Sequence, residues 1–354
     1  MSVKRLSFEH VALLAWYRVV RREMPWRGHP SPYVVWVSEI MLQQTQVETV
    51  RPYFARFIER FPTVQSLAEA ETETVLSLWQ GLGYYTRARN LQRAAKMIVE
   101  HNEAHLPETA SELMALPGIG AYTAAAIASL CFGERTPVVD GNVVRVFARL
   151  FLLDDDFKSQ TARQKLALRL QSAFDETESP GDLNQAMMEL GALICCPRNP
   201  ECRRCPLASS CKALRRGEQE NYPKRLAKTK PPVRHAVAVV LRRGSRWLMV
   251  RRPEEGLLGG LWELPGGSIE EGETVEVAAC RLLPIQTSLD VEIVASLGML
   301  KHAFSHFTLM LHVLEARQVG GRCKPLTKGT LRWISSATFS PLPVATAHRR
   351  ALEL

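Results

Sequence analysis

The chain has 354 residues, of which 46% are hydrophobic and 23% charged, and its formal net charge is +9. This length allows two or three domains with complete cores, and the composition excludes a disordered or fibrous chain. No run of about 18 apolar residues occurs, and the first residues, MSVKRLSFEH, lack the apolar core of a signal peptide. We therefore expect no membrane span, and the positive charge suggests a polyanionic partner.

The first part of the chain, residues 1 to about 216, has apolar residues at helical spacing and no strand-like run. Ser31-Pro32 is a suitable N-cap and first-turn pair, and the apolar residues from Ile40 to Phe61 predict a helix that ends at Pro62. Further helices are predicted over 65–80, 86–102, 110–116, 121–131, 143–153, 160–173 and 183–194. The sequence thus predicts an all-α module.

The segment LPGIG (116–120) connects two of these helices. Gly118 and Gly120 permit a tight hairpin and a close approach of a ligand to the backbone. The amides that begin the next helix suit a phosphate group. LPGIG-x-x-T-A is the pattern of a helix-hairpin-helix motif, which binds one DNA strand through backbone amides, although a lone PGIG also fits an ordinary helix–helix turn. The segment VVDGNVVRV follows, and its Asp140, taken alone, is equally suited to cap a helix.

Four cysteines lie within 17 residues: Cys195, Cys202, Cys205 and Cys211. Thiolates select zinc or iron–sulfur clusters. Structural zinc usually takes two closely spaced pairs, whereas one tight pair with a single cysteine on either side favours a [4Fe–4S] cluster. Cys196 fits this spacing less well than its neighbour Cys195. The remaining cysteines are scattered, which does not indicate a disulfide framework.

The character of the sequence changes after residue 216. Residues 217–232 indicate an extended linker, and the stretch from Arg215 to Arg252 holds twelve Lys or Arg but only two acidic residues. That basic run suits either nucleic-acid contact or a solvated linker. Runs of β type then follow at 235–241, 247–250 and 308–314. Residues 233–354 are therefore predicted to form a smaller α+β module.

Part of this module is close to a Nudix signature. Gly267, Glu273 and Arg281 fit its beginning, but the glutamates that should follow the arginine are replaced, and Pro284 is predicted to interrupt the helix. Without those carboxylates, magnesium lacks its oxygen ligands. We expect a Nudix-like domain without hydrolase activity, while the Gly-rich stretch before it leaves residual nucleotide binding open.

These motifs together resemble the helix-hairpin-helix DNA glycosylases that carry an iron–sulfur cluster, and among them the MutY-type adenine DNA glycosylases. The resemblance rests on WVSEIMLQQTQV (36–47), GLGYYTRARNL (81–91), VVDGNVVRV (138–146) and NQAMMELGALIC (184–195). It implies a multidomain protein with an all-α glycosylase core and an iron–sulfur cluster loop over 1–216, the linker 217–232, and an α+β Nudix-like domain for 8-oxoguanine over 233–354. Within the core it implies a six-helix barrel at about 25–130 and a cluster half of 1–24 plus 131–216.

Cleavage of a purine N-glycosidic bond needs protonation of the leaving base and stabilisation of a cationic sugar. The resemblance implies that Glu39, whose apolar neighbours would raise its pKa, protonates adenine, and that Asp140 stabilises the sugar. Asn142 is expected to position Asp140 or the water. Bifunctional members of the superfamily have a lysine where Tyr122 stands, and a phenol forms no Schiff base. We therefore expect a monofunctional enzyme, with Tyr122 hydrogen-bonded to Asp140.

The resemblance further implies that the target base leaves the stack before cleavage. It places Trp26, Arg27 and Gln185 around the adenine; Gln44, Leu82 and Tyr84, with the hairpin of Gly118 and Gly120, against the DNA; and Phe304, Ser305 and His306 at the 8-oxoguanine. Trp26 and Leu82 suit a hydrophobic core equally well.

The expected partner is double-stranded DNA with adenine opposite 8-oxoguanine or guanine, bound by a monomer in a bacterial cytoplasm. One alternative is a thymine DNA glycosylase acting on G·T mismatches, which the tyrosine at 122 also suits. Another is a non-catalytic DNA-damage-binding protein, which the intact Glu39 and Asp140 disfavour.

Overall fold

The computed structural model describes residues 5–224, 231–324, 330–339 and 342–354. They form two compact units, one of Met1–Glu69 with Asn90–Ala227 and one of Ala70–Arg89 with Lys228–Leu354. The sequence predicted an all-α module followed by an α+β module, and this order of element types is confirmed. No helix in the described ranges is long and apolar enough to cross a membrane.

The described residues of the first unit form helices and connecting loops. The helices up to residue 216 are α1 (His10–Val20), α2 (Pro32–Leu42), α3 (Val47–Arg60), α4 (Val64–Ala68), α5 (Thr72–Leu78), α6 (Thr86–His101), α7 (Ala110–Leu113), α8 (Ala121–Phe132), α9 (Gly141–Phe151), α10 (Gln160–Glu176), α11 (Pro180–Leu193) and α12 (Lys212–Arg216). Of these, α5 belongs to the second unit, and α6 begins in the second unit and continues into the first. Helices α1, α9, α10 and α11 enclose a core in which Tyr17, Phe147 and Phe174 are fully buried.

Two of the predicted helices are each divided in the structure. The helix expected from Ser31 to Phe61 is interrupted at 43–46, because Gln44 takes a left-handed backbone conformation with φ 58°. A non-glycine residue in that conformation cannot continue a right-handed helix. The helix expected over 65–80 becomes α4 and α5, because α4 ends at Ala68 and Glu71 is extended. The prediction of single helices in these two places was wrong.

The second unit is built on a seven-stranded sheet, counted over its described residues. The path runs β3-β2-β1-β6-β5, while β4 pairs with β1 and β7 with β2. β1 and β6 are parallel, and the pairs β1–β2 and β5–β6 are antiparallel. The strands are β1 (Val233–Arg243), β2 (Arg246–Arg251), β3 (Trp262–Glu263), β4 (Gly266–Ser268), β5 (Leu289–Ala303), β6 (Thr308–Gly321) and β7 (Leu331–Ser335).

Alternation along the strands gives this sheet two separate cores. Val237 and Val239 pack with α13 (Val275–Thr287) on one face, whereas Ala238 and Val240 pack with α15 (Thr346–Ala351) on the other. A short helix, α14 (Ser336–Phe339), follows β7. Successive residues of a strand point to opposite faces, so a strand covered on both sides reads as one continuous apolar run.

Pro284 does not interrupt α13, contrary to the prediction. The helix extends to Thr287, and only its last turn follows the proline. A proline removes the hydrogen bond to the carbonyl four residues earlier, here that of the exposed residue Cys280, and the loss of one bond in the last turn does not end the helix.

Candidate active site

A cavity of about 850 Å³ opens within the first unit. Its wall takes side chains from α1, α2, α8, α9 and α11. Seven of the predicted site residues line it: Trp26, Arg27, Glu39, Tyr122, Asp140, Asn142 and Gln185. The fold therefore brings into one place residues that come from separate motifs of the sequence.

Glu39 lies on α2, where nine of the eleven residues are buried, and its own exposed fraction is 6%. Burial raises the pKa of Glu39 to about 7; the hydrogen bond from Tyr122 opposes this shift, and the nearby Asp140 adds to it. A carboxyl group with this pKa keeps its proton in a large fraction of molecules at neutral pH. The expected rise of the Glu39 pKa is confirmed, and the group is suited to general acid catalysis.

Tyr122 bonds Glu39 rather than Asp140, so the predicted partner was wrong. Its hydroxyl donates to Oε2 of Glu39 at 3.3 Å. Both oxygens of Asp140 instead accept hydrogen bonds from the first turn of its own helix. Burial raises the pKa of Tyr122 well above its usual value, which keeps the phenol protonated as a donor.

Asp140 caps α9 and faces the cavity at the same time. Its Oδ1 accepts from the backbone N–H of Val143 at 2.7 Å, and its Oδ2 accepts from Nδ2 of Asn142 at 2.8 Å. Asn142 therefore contacts Asp140, and its expected role in positioning Asp140 or the water stays a prediction. Arg145 donates to Oδ1 of Asn142 at 2.7 Å, which turns the amide nitrogen toward Asp140. Burial raises the pKa of Asp140, and these hydrogen bonds limit the rise.

Glu189 is a cavity residue that the sequence analysis missed. It is 2% exposed, and its oxygens accept from Arg22 at 2.9 Å and from Arg27 at 3.2 Å. Although burial opposes ionisation, these hydrogen bonds lower the pKa of Glu189 to about 2. Arg27 is therefore held against the wall by a fixed anion. The sequence spacing could have predicted it, since Glu189 lies four residues after Gln185 and therefore on the same helix face.

Trp26 fits both of the interpretations that the sequence left open. It is 6% exposed and packs edge-on against Phe54, with ring centroids 5.0 Å apart, as a core residue does. It also contributes to the cavity wall.

The hairpin before α8 depends on one of its two glycines. Gly118 has φ +79°, and a Cβ atom there would lie 2.7 Å from Cβ of Asn90. Gly120 is the N-cap of α8 with φ −90°, and no atom lies within 4 Å of the Cβ that a side chain would add. The turn thus requires glycine at 118, while open space at 120 leaves the N-terminus of α8 accessible to a ligand.

The other residues expected at DNA differ in exposure. Tyr84 is 45% exposed with φ 49°, whereas Leu82 is only 6% exposed. Leu82 and Tyr84 belong to a turn before α6 in the second unit. Arg87 donates to the carbonyls of Leu82 and Gly83 in this turn, each at 3.1 Å. Its guanidinium lies 5.6 Å from the Tyr84 ring centroid. Gln44 is exposed at the break between α2 and α3. Leu82 is therefore a core residue here, and Tyr84 presents its ring to solvent.

The four predicted cysteines line a second, smaller cavity, and Cys196 does not. Nowhere in the described ranges do three His, Cys, Asp or Glu side chains converge closely enough to hold a single metal ion. The four thiols share this cavity with a wall that is otherwise mainly apolar and includes Ile194, Pro200, Ala208 and Leu214. This donor set and spacing fit a multi-iron cluster better than a lone zinc ion.

Arg149 is 2% exposed and forms hydrogen bonds to the beginning of the cysteine loop. Its guanidinium donates to Sγ of Cys195 at 3.3 Å and to the carbonyls of Cys196 at 2.7 Å and Pro197 at 3.1 Å. Hydrogen bonds to thiolate sulfur stabilise the charged ligand and tune the potential of a cluster.

The segment expected to meet 8-oxoguanine forms the turn between β5 and β6. Phe304 stacks on Phe307 with centroids 4.5 Å apart, which anchors the turn. Ser305 and His306 are exposed, and Oγ of Ser305 lies 3.3 Å from Nδ1 of His306. The turn therefore exposes two polar side chains beside the stacked rings of Phe304 and Phe307.

Polar side chains of α13 form hydrogen bonds within the second unit. Arg281 donates twice to Glu273 at 2.7 Å, which lowers the pKa of that carboxyl to about 2. Gln286 bonds both the N–H and the carbonyl of Gly266, at 2.9 and 2.7 Å. No acidic residue follows Arg281 within α13. That this domain lacks hydrolase activity stays a prediction.

Comparison with known proteins follows the same division. Residues 37–171 match the family described as "HhH-GPD superfamily base excision DNA repair protein", and residues 236–354 match the NUDIX domain. The human adenine DNA glycosylase is 36% identical over 97% of this chain and 73% of its own length. The chain belongs to the adenine DNA glycosylase family.

A second relative bears the same name, and one solved structure is that of a different DNA glycosylase. The Arabidopsis thaliana adenine DNA glycosylase is 38% identical over 96% of this chain, which spans 63% of that protein. A thermostable thymine-DNA glycosylase of known structure has a TM-score of 0.50 and 25% identity over 58% of this chain and 95% of its own. At the level of the family, the predicted fold, the hydrolase class and the role in base excision repair are confirmed.

Proposed function

We propose that this protein removes adenine paired with 8-oxoguanine or guanine in double-stranded DNA, as a monomer without an efficient lyase step. The observation that carries the proposal is the pair of Glu39 and Asp140, two carboxyl groups in one cavity, of which Glu39 has a pKa of about 7. Hydrolysis of a glycosidic bond uses one carboxylic acid and one carboxylate in such a pair.

In the proposed reaction, Glu39 transfers its proton to N7 of the flipped adenine. The bond between C1′ and N9 breaks, and its electron pair leaves with the base. Asp140 stabilises the positive charge that develops on the sugar, as a carboxylate ion or by transient bonding to C1′. Water then adds its oxygen to C1′ and returns a proton to Glu39. Tyr122 keeps the carboxyl of Glu39 in place.

The four cysteines, Cys195, Cys202, Cys205 and Cys211, are proposed to hold a [4Fe–4S] cluster. When bound, it would fix the cysteine loop, whose Arg203 and Arg204 then form a basic surface for DNA phosphates. The turn with Ser305 and His306 is proposed to contact 8-oxoguanine, because hydroxyl and imidazole groups can hydrogen-bond the edge of a modified purine. Tyr84 is proposed to enter the duplex beside that base.

The test uses three duplexes, with adenine opposite 8-oxoguanine, adenine opposite thymine, and thymine opposite guanine, each followed by alkali. Strand cleavage at adenine opposite 8-oxoguanine, seen only after alkali, supports the proposal. Cleavage at the thymine would favour a thymine glycosylase instead. Tight binding without cleavage would favour a damage-binding protein. The Asp140→Asn variant should bind the first duplex and leave it intact.

A further inference from the structure

We propose that Tyr17 is a specificity-positioning residue that fixes the side-chain amide of Gln185, so that its NH2 group and not its oxygen faces the flipped base. This inference rests on the proposed adenine excision and adds the means by which the cavity distinguishes purines. Tyr17 belongs to α1, outside every motif that the sequence singled out.

The contact joins two helices that are far apart in the sequence. The hydroxyl of Tyr17 lies 3.1 Å from Oε1 of Gln185 on α11. Tyr17 is fully buried in the core of the first unit, so its ring has one position, while Gln185 is half-buried and lines the cavity. The hydroxyl of Tyr17 is thus a fixed donor, and it bonds the side-chain amide of Gln185, which a ligand in the cavity can reach.

The direction of this hydrogen bond follows from protonation. Burial raises the pKa of Tyr17 to about 12, although Arg27 opposes the shift. The phenol therefore keeps its proton at any pH at which the enzyme works, and a buried hydroxyl proton needs an acceptor. The oxygens of Glu189 already accept from Arg22 and Arg27. Oε1 of Gln185 is then the acceptor, which leaves Nε2 and its two protons for the cavity.

An amide fixed in this way distinguishes purines by their N1 position. Adenine accepts a hydrogen bond at N1, whereas hypoxanthine and guanine carry a proton there. The proposal assigns Glu39 to the N7 edge of the base and Gln185 to the edge that bears N1. A fixed NH2 group pairs with adenine and opposes the N1–H of hypoxanthine, because two donors then face each other. A freely rotating amide would present its oxygen and accept both bases.

Tyr17→Phe isolates the hydroxyl, because the phenyl ring retains the core packing and the contact of Arg27 over the ring, at 5.7 Å from its centroid. Single-turnover excision is measured on duplexes with adenine or hypoxanthine opposite 8-oxoguanine. The ratio of hypoxanthine to adenine excision should rise by roughly 5- to 20-fold. A merely structural role would lower both rates together and leave the ratio unchanged.

Tyr33→Phe is the matched control. Tyr33 is a second buried tyrosine of the first unit; its hydroxyl donates to the carbonyl of Phe61 at 2.9 Å, and it does not line the cavity. The same single oxygen is removed, and the base ratio should stay at the wild-type value. An unchanged or lower ratio in Tyr17→Phe would overturn the inference.

A second variant decides the question if Tyr17→Phe fails to fold by thermal melting. Gln185→Glu replaces the NH2 group with oxygen at nearly constant shape, and it should raise the same ratio; an unchanged ratio would overturn the inference equally. The proposed function and the role of Tyr17 can each be contradicted separately. Wild-type protein that leaves adenine in place contradicts the proposed function, whereas adenine excision with an unaltered variant ratio contradicts only the role of Tyr17.

Discussion

The guanidinium of Arg145 donates a hydrogen bond of 2.7 Å to Oδ1 of Asn142. The same side chain donates to the carbonyls of Cys195 and Gly191, each at 2.7 Å. One cation therefore joins the amide that holds Asp140 to the start of the cysteine loop. The position of the proposed sugar-stabilising carboxylate thus depends on how that loop is placed.

Arg145→Met should lower single-turnover excision by roughly 10- to 100-fold and the free energy of unfolding by about 2–4 kcal/mol, because the hydrogen bonds that Arg145 donates to Asn142, Gly191 and Cys195 are lost. Excision assays and urea melts measure the two effects. Arg163→Met is the control, since the guanidinium of Arg163 donates to the carbonyl of Phe157 at 2.8 Å and Arg163 does not line the cavity. Equal losses of activity in both variants would show that the link to Asn142 is irrelevant to excision.

The pKa of Glu39 predicts how activity depends on pH. Excision should decline as the pH rises through about 7, because the proton that Glu39 donates is then lost. Glu39→Gln keeps the shape but carries no transferable proton, so excision should be abolished at every pH. A wild-type rate that stays constant up to about pH 9 would contradict the assignment of Glu39 as the acid.

The same pKa has a consequence for stability. The folded-state pKa lies above the unfolded value of 4.5, so the contribution of Glu39 is present below pH 4.5 and is lost as the pH rises through about 7. A shift of this size corresponds to about 3 kcal/mol. Glu39→Gln should therefore be more stable than wild type at about pH 8.5 by that order, with the advantage vanishing toward pH 4.5. Chemical unfolding of both proteins across this range checks the sign, and a difference independent of pH would refute it.

The cavity residues that were predicted from the sequence all lie in recognisable motifs. Glu39, Asp140 and Gln185 each belong to a long and specific motif, and a resemblance to a family carries such residues over together. Glu189 and Tyr17 were missed because their function follows from contacts across more than 160 positions, which no local pattern displays. Only the folded chain shows that α1 and α11 lie side by side.

The wrong predictions of helix boundaries and of the Tyr122 partner each have a local structural cause. Apolar residues continue at helical spacing across Gln44, so periodicity alone cannot reveal that this residue has a left-handed backbone conformation. Pro284 was taken as a helix breaker, but only one turn of the helix follows it, and it removes only the bond to the carbonyl of Cys280. The partner of Tyr122 was wrong because the sequence did not show that Asp140 is satisfied by its own helix.

Replacing Tyr122 with lysine should add a lyase activity. The hydroxyl of Tyr122 lies 3.3 Å from Glu39 in the cavity that Asp140 also lines, so an amine there would be close to the sugar. Burial lowers the pKa of a lysine and leaves part of it as the nucleophilic free amine. Borohydride should trap a covalent complex of Tyr122→Lys with DNA. Tyr122→Phe should give none; trapping with Tyr122→Phe or with the wild type would contradict the monofunctional assignment.

Cys202 and Cys196 provide a matched test of the cluster. Cys202 lines the small cavity and its sulfur accepts from Gln219 at 3.8 Å, whereas Cys196 lies outside that cavity. Cys202→Ser should reduce iron content and visible absorbance severely, and Cys196→Ser should leave both at the wild-type level. Iron and zinc are measured together by elemental analysis. A wild-type protein that carries one zinc and no iron would contradict the cluster, as would equal iron loss in both variants.

The hairpin offers a matched pair of glycines for DNA binding. A methyl group at Gly118 would lie 2.7 Å from Cβ of Asn90, and the φ of +79° is strained for any other residue, so Gly118→Ala must shift the turn. Gly120 has φ −90° and open space around it, so Gly120→Ala should keep the hairpin intact. Affinity for a duplex with an uncleavable substrate analogue should fall by roughly 10-fold or more in Gly118→Ala and by much less in Gly120→Ala. Because the amides at the start of α8 would contact phosphate, the loss should be the same for every flanking sequence; equal effects of the two substitutions would show that the shape of the hairpin does not govern binding.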